Sequence, residues 1–189
     1  MNAIPYTVER RPDTGVNNVQ LGIWLFLASE VMLFGGLFSA YFMLRAGAPS
    51  PWVPLRDHLG PAALATVSLL FGTIAVGIAS RAVPRYRRWL ISASLFALVF
   101  CAFKADDYQR FIAAHRGPAA STQMATYFLL TGVHLIHVLG GVLANIWVML
   151  RSGAAPDPAP AVNRLRALGL YWGFVDVIWL LILVLLYVV

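Results

Sequence analysis

Leu21-Gly-Ile-Trp-Leu-Phe-Leu-Ala-Ser-Glu30-Val-Met-Leu-Phe-Gly-Gly-Leu-Phe-Ser-Ala-Tyr41 is an apolar run interrupted by one carboxylate. A helix rises 1.5 Å per residue, so about 20 such residues cross a hydrocarbon core ~30 Å thick. The stretch therefore reads as a transmembrane helix with an acid near its middle. Further runs of this kind give five spans: Val19–Leu44, Gly60–Val83, Arg87–Tyr108, Met124–Leu150 and Leu168–Val189. None alternates as a barrel strand would, and only helices or closed barrels satisfy every backbone polar group in lipid. The expected fold is all-α, an integral membrane bundle of five transmembrane helices over residues 19–189 behind a polar tail at 1–18.

Composition points the same way. Of 189 residues 60% are apolar and 12% charged, with a mean hydropathy of +0.74, more apolar surface than one small soluble core could hide. The tail holds Glu9, Arg10, Arg11 and Asp13 and lacks the apolar stretch of a signal peptide. A net charge of +6 does not indicate nucleic acid, because the 14 basic residues are spread over short loops and form no stripe. They act as topology signals. Nine of them (Arg10, Arg11, Arg81, Arg85, Arg87, Arg88, Arg151, Arg164, Arg166) share one side and five (Arg45, Arg56, Lys104, Arg110, Arg116) the other. This places the N-terminus in the cytoplasm and the C-terminus opposite. Ala154–Ala161, rich in Ala and Pro, reads as a flexible inner connection. In the third span the uncharged part, Trp89–Phe103, covers only about 22 Å, so Lys104 is expected to snorkel to the outer boundary and pair with Asp107.

Ionisable groups inside lipid are expensive, and each needs a partner or a function. Glu30 lies about 16 Å from the inner end of its span; the antiparallel fourth span sets His137 about 20 Å and His134 about 24 Å from the same face. The expectation is a buried Glu30–His137 hydrogen bond, with His134 or Thr131 completing the network. Such a cluster reads first as a polar clasp that fixes packing, with a proton relay or a metal site as the functional alternatives. No catalytic, cofactor-binding or metal-binding residue is expected in this chain. His134 and His137 share one helix, His58 and His115 fall in outer loops, and neither a bis-His haem nor a di-iron site can be assembled. The single Cys101 excludes an internal disulfide. Asp176, about 12 Å above Leu168, is a second buried acid, with Asn145 as one candidate partner and a lipid amine or a neighbouring subunit as others. Tyr171, Trp172 and Trp147 read as anchors at the inner headgroup level. The pairs Ser68/Gly72, Thr73/Gly77 and Ala75/Ala79, with Gly35, Gly36, Gly140 and Gly141, predict close helix contacts.

Three stretches, in order, resemble one family. The helix Leu21 to Arg45, with Glu30 at its centre, is the first. Thr131-Gly-Val-His134-Leu-Ile-His137-Val-Leu-Gly140-Gly is similar to a Gly-x-His-x-x-His-x-x-x-Gly helix, and Tyr171-Trp-Gly-Phe-Val-Asp176-Val-Ile-Trp179 to a closing Tyr-Trp-His-Phe-Val-Asp-x-x-Trp motif. Together they resemble subunit III of the haem-copper terminal oxidases from Val19 onward. The resemblance implies a five-helix form, equivalent to the last five helices of a seven-helix version. It further implies an accessory, non-redox subunit of an oxygen-reducing cytochrome c or quinol oxidase in a bacterial cell membrane. Such a subunit packs on catalytic subunit I and other oxidase subunits and supports their assembly, stability and proton uptake. Haem and copper then belong to the partner subunits, and this chain is left with membrane lipid, bound phospholipid included. The rival readings are an accessory subunit of nitric oxide reductase and an independent small proton or solute transporter. Gly173 stands where the family has His, and Lys104 and Asp107 where it has Gln and Glu before a tyrosine, here Tyr108.

Overall fold

The computed structural model describes residues 8–82, 85–151 and 159–189. Among these, every regular element is helical: α1 (Asn18–Ala46), a 3-10 turn (Arg56–His58), α2 (Leu59–Arg81), α3 (Tyr86–Ala113), α4 (Thr122–Arg151), α5 (Ala159–Leu183) and a π-helical turn (Val184–Val188). Five helical segments are long and apolar enough to cross a membrane, and the chain is an integral membrane protein. In the polar tail Arg11 grips both carboxylate oxygens of Asp13 at 2.9 Å, and that hydrogen bonding holds the carboxyl below its ordinary range. α1 then starts where the Asn17 side chain accepts from the Gln20 N–H, filling one of the donors a helix start leaves open.

Two boundaries differ from those expected. α3 runs past Tyr108 to Ala113, and α5 begins at Ala159, ahead of Leu168. Hydropathy marks where lipid begins, whereas backbone hydrogen bonding continues into the polar margin. Pro160 does not prevent this, because the N–H groups of a first helical turn have no intrahelical partner to lose. The connection expected at Ala154–Ala161 is thus already helix from Ala159, while residues 152–158 and the expected span end at Val83 lie outside the described residues.

Packing follows the small residues on α2 and α4. α2 lies chiefly against α3 and then α5, α4 against both of these, and α1 at the edge against α5 and α4. Ser68 donates its hydroxyl to the Phe96 carbonyl at 2.7 Å, and a Cβ on Gly72 would stand 3.3 Å from the Ala93 oxygen, so this row brings the α2 and α3 backbones together. Gly35 and Gly36 do not serve close contact as expected: a side chain on either would meet nothing within 4 Å. α1 buries only Leu27, Phe34 and Tyr41, one seam repeating every two turns, and turns residues such as Met32 and Met43 outward. Apolar exposure of that kind suits lipid.

The π-helical turn closes the end of the bundle where α1 finishes. Wider hydrogen-bond spacing in a π turn leaves carbonyls able to accept from elsewhere. Leu185 accepts the Tyr41 hydroxyl at 2.6 Å and Leu186 accepts the Leu55 N–H at 3.0 Å, while Arg45 donates to the Tyr41 oxygen at 2.7 Å. The α1–α2 loop is thereby stapled to the end of α5.

Candidate functional site

Glu30 of α1 and His137 of α4 meet, with Oε2 and Nε2 2.8 Å apart. Nδ1 of the same imidazole lies 2.8 Å from the Val133 carbonyl, which can only accept, so Nδ1 carries a proton. One further proton then occupies the line between carboxyl and imidazole. Tyr171 of α5 donates its hydroxyl to the His137 carbonyl at 2.7 Å, and the Phe34 ring packs 5.1 Å from the imidazole. Chemically the pair can hold or pass one proton; mechanically it ties the peripheral α1 to α4. Replacing Glu30 with Leu leaves Nε2 unpaired and is expected to cost about 1–3 kcal/mol, whereas Glu30→Gln, whose amide can donate to Nε2, should lose less than about 1 kcal/mol. Thermal unfolding in detergent distinguishes the two variants.

Neither Thr131 nor His134 completes this network, contrary to expectation. Thr131 is six residues from His137, about 240° round the helix, and looks the other way. Its hydroxyl donates to the Tyr127 carbonyl at 2.7 Å and pairs with the Tyr108 hydroxyl at 2.6 Å. His134, about 60° off, is turned toward α5. It is fully buried, stacked 5.2 Å from Trp179 with Phe100 edge-on, and neither ring nitrogen has a hydrogen-bond partner among the described residues.

Lys104 and Asp107 form an ion pair of 2.9 Å, but not the snorkelling pair that hydropathy suggested. They are 1% and 2% exposed, because α3 continues beyond them and other elements fold over them. Lys104 Nζ spends its three donors on Asp107, on the Tyr127 hydroxyl of α4 at 2.7 Å and on the Tyr187 hydroxyl of the π turn at 2.9 Å. His58 Nδ1 reaches the other Asp107 oxygen at 3.0 Å, its ring stacked on Phe111. The rings of Tyr127, Trp179, Tyr187 and Tyr108 surround the ammonium at 5.0–5.8 Å, a cation–π cage. Sequence reasoning found the pair but not His58, Tyr127 or Tyr187.

Asn145 is not the partner of Asp176. Its amide donates to Ser94 of α3 at 3.1 Å and its oxygen accepts from the Trp172 indole at 3.2 Å, a three-helix clasp. Asp176 lies about 6 Å further along α5 than Trp172 and faces Thr73 of α2 instead. Trp172 is no membrane anchor either: it is wholly buried and its ring lies against Gly141. Trp147 is half exposed, as an anchor would be. Among the described residues no three of His, Cys, Asp and Glu converge as a group that could hold a metal.

Comparison with known proteins gives a consistent picture. The profile of the family described as cytochrome c oxidase subunit III matches residues 12–189. The chain is 32% identical to a probable cytochrome c oxidase subunit 3 of Mycobacterium tuberculosis, over 90% of this chain and 88% of that one. It is 28% identical to a probable quinol oxidase subunit 3 of Staphylococcus aureus, over 97% and 94% respectively. It is also 30% identical to part of a haem-copper oxidase subunit I+III of Aeropyrum pernix, over 92% of this chain and 23% of that longer one.

Proposed function

The chain belongs to the cytochrome c oxidase subunit III family and is an accessory subunit of a haem-copper oxidase, and on that premise we propose that it is a cofactor-free scaffold packed on the catalytic subunit I. The observation that carries this is the family match over residues 12–189. The rival readings, a nitric oxide reductase accessory subunit or an independent transporter, are not favoured by the relatives' names. Haem and copper reside in the partner subunits, and this chain performs no electron transfer. Its contribution is to hold helices, and the protons and lipids associated with them, against the catalytic core in the bacterial inner membrane, N-terminus inward. The clasps described above suit that role, because each ties two or more helices together through side-chain hydrogen bonds. Fusion in Aeropyrum pernix of a I+III chain supports proximity to subunit I. A groove of about 630 Å³ between α1, α4 and α5, lined by Ile23, Phe26, Ala144, Trp147, Leu168 and Tyr171, accommodates an acyl chain of a bound phospholipid.

Purification through a tag on this chain in mild detergent tests the reading. Haem-bearing subunits should accompany it, giving a visible absorption spectrum and oxygen uptake with cytochrome c or quinol as donor. Recovery of the tagged chain alone would count against it.

A further inference from the structure

Asp176 lies well inside the membrane-spanning length Ala159–Val188, on the seam between α5 and α2, and is 7% exposed. Its Oδ1 makes no well-formed hydrogen bond among the described residues, and neither does Oγ1 of Thr73, the hydroxyl that faces it from α2 and interacts with the carboxyl only loosely. An acid left without a donor in hydrocarbon is costly, and membrane bundles retain such residues where something satisfies them. The surroundings are stripped of side chains. Gly173 and Gly169 precede Asp176 by one and two turns along α5, and Gly77 follows Thr73 by one turn on α2. A Cβ on any of these three glycines would meet nothing within 4 Å. Helical side chains lean toward the turn N-terminal to their own, so the Asp176 carboxyl leans over Gly173. α2 and α5 thus leave an open strip along the three glycines, a groove with the buried Asp176 carboxyl in the seam at its head.

We propose that this groove receives a transmembrane helix of a neighbouring oxidase subunit, which lies along Gly77, Gly169 and Gly173 and brings a guanidinium or ammonium group to Asp176. The inference rests on the chain's place in an oxidase complex. Charge selects the occupant's side chain, since a carboxyl in low dielectric is best satisfied by a cationic N–H donor, and the missing side chains let a second backbone approach. Depth selects a protein over a lipid. Asp176 lies about 18 Å along the helix from Val188 and about 12 Å from Leu168, where the apolar part of α5 begins, deeper than a headgroup amine that stays at the interface.

The test uses the intact complex, isolated through a tag on this chain. Haem retained per tagged chain is measured over rising detergent for the wild type, Asp176→Asn and Asp176→Leu, and a benzophenone amino acid at Gly77 reports by mass spectrometry what occupies the groove. Both Asp176 variants should reach wild-type levels in the membrane, having lost no more than the loose Thr73 contact, yet retain about tenfold less haem or lower still. The crosslink should fall on another subunit's helix within a turn of an Arg or Lys. Haem retention equal to wild type in both variants, or a crosslink to lipid alone, overturns the inference. A wild-type chain that carries no haem-bearing subunit overturns the oxidase reading itself, a result the two Asp176 variants cannot imitate.

Discussion

Lys104→Met should destabilise the bundle by about 3–5 kcal/mol, the loss typical when one partner of a buried ion pair is removed. Asp107 is 2% exposed and would stay behind with His58 as its remaining close neighbour of basic character. The Tyr127 and Tyr187 hydroxyls would lose the donor on which both converge, leaving only their longer contacts of 3.4 and 3.5 Å to Asp107 to join α3 to α4 and the π turn there. Adding Asp107→Leu removes the stranded charge, and the double variant should be clearly more stable than Lys104→Met alone, since apolar replacement of a whole buried pair is often neutral. Thermal unfolding of the three proteins in one detergent gives the order directly. A single variant within about 1 kcal/mol of wild type would show that the cage does not hold these elements together.

Gly141→Leu should prevent α4 and α5 from closing and leave little folded protein in the membrane. Even a methyl group is too much: a Cβ at this position would stand 2.7 Å from the Trp172 ring. That ring cannot give way, because its indole N–H is fixed to Asn145, and Asn145 to Ser94. Gly141→Ala should therefore cost about 1–3 kcal/mol through overpacking, although helix propensity alone favours Ala over Gly by about 1 kcal/mol. The opposed signs make the experiment decisive. Gly140→Ala is the control, since its Cβ would meet only the Tyr171 hydroxyl at an ordinary 3.4 Å. It should unfold at or slightly above the wild-type temperature.

What the sequence discloses depends on which coordinate is asked for. Spans and depths are legible because hydropathy acts over about 20 residues and the helical rise is fixed. Counting along two antiparallel spans sets Glu30 and His137 near one level, and they lie 2.8 Å apart. Azimuth is a different matter. Which way Thr131, His134 or Asn145 points depends on where the neighbouring helices stand, and no single-helix pattern encodes that. Trp172 illustrates the point: an indole at headgroup depth looks the same in sequence whether it meets lipid or Gly141. The cage around Lys104 was half legible for a related reason. Its i,i+3 partner is local, but His58 comes from a turn far from α3 in sequence, and Tyr127 and Tyr187 from two other elements. The C-terminal end of α3 and the start of α5 are not legible, because polar margins carry helix without carrying hydropathy.

The separation of 83 positions from Lys104 to Tyr187 also sets a schedule for biogenesis. A ribosome moving at about 5–20 residues per second needs about 4–17 s to cover that stretch. During this interval the ammonium has left the translocation machinery's aqueous path with one of its three ligands still unmade. Insertion factors that shelter polar segments must hold the third helix until the last one arrives, and arrest of translation just upstream of Tyr187 should yield a nascent chain crosslinked to them through α3.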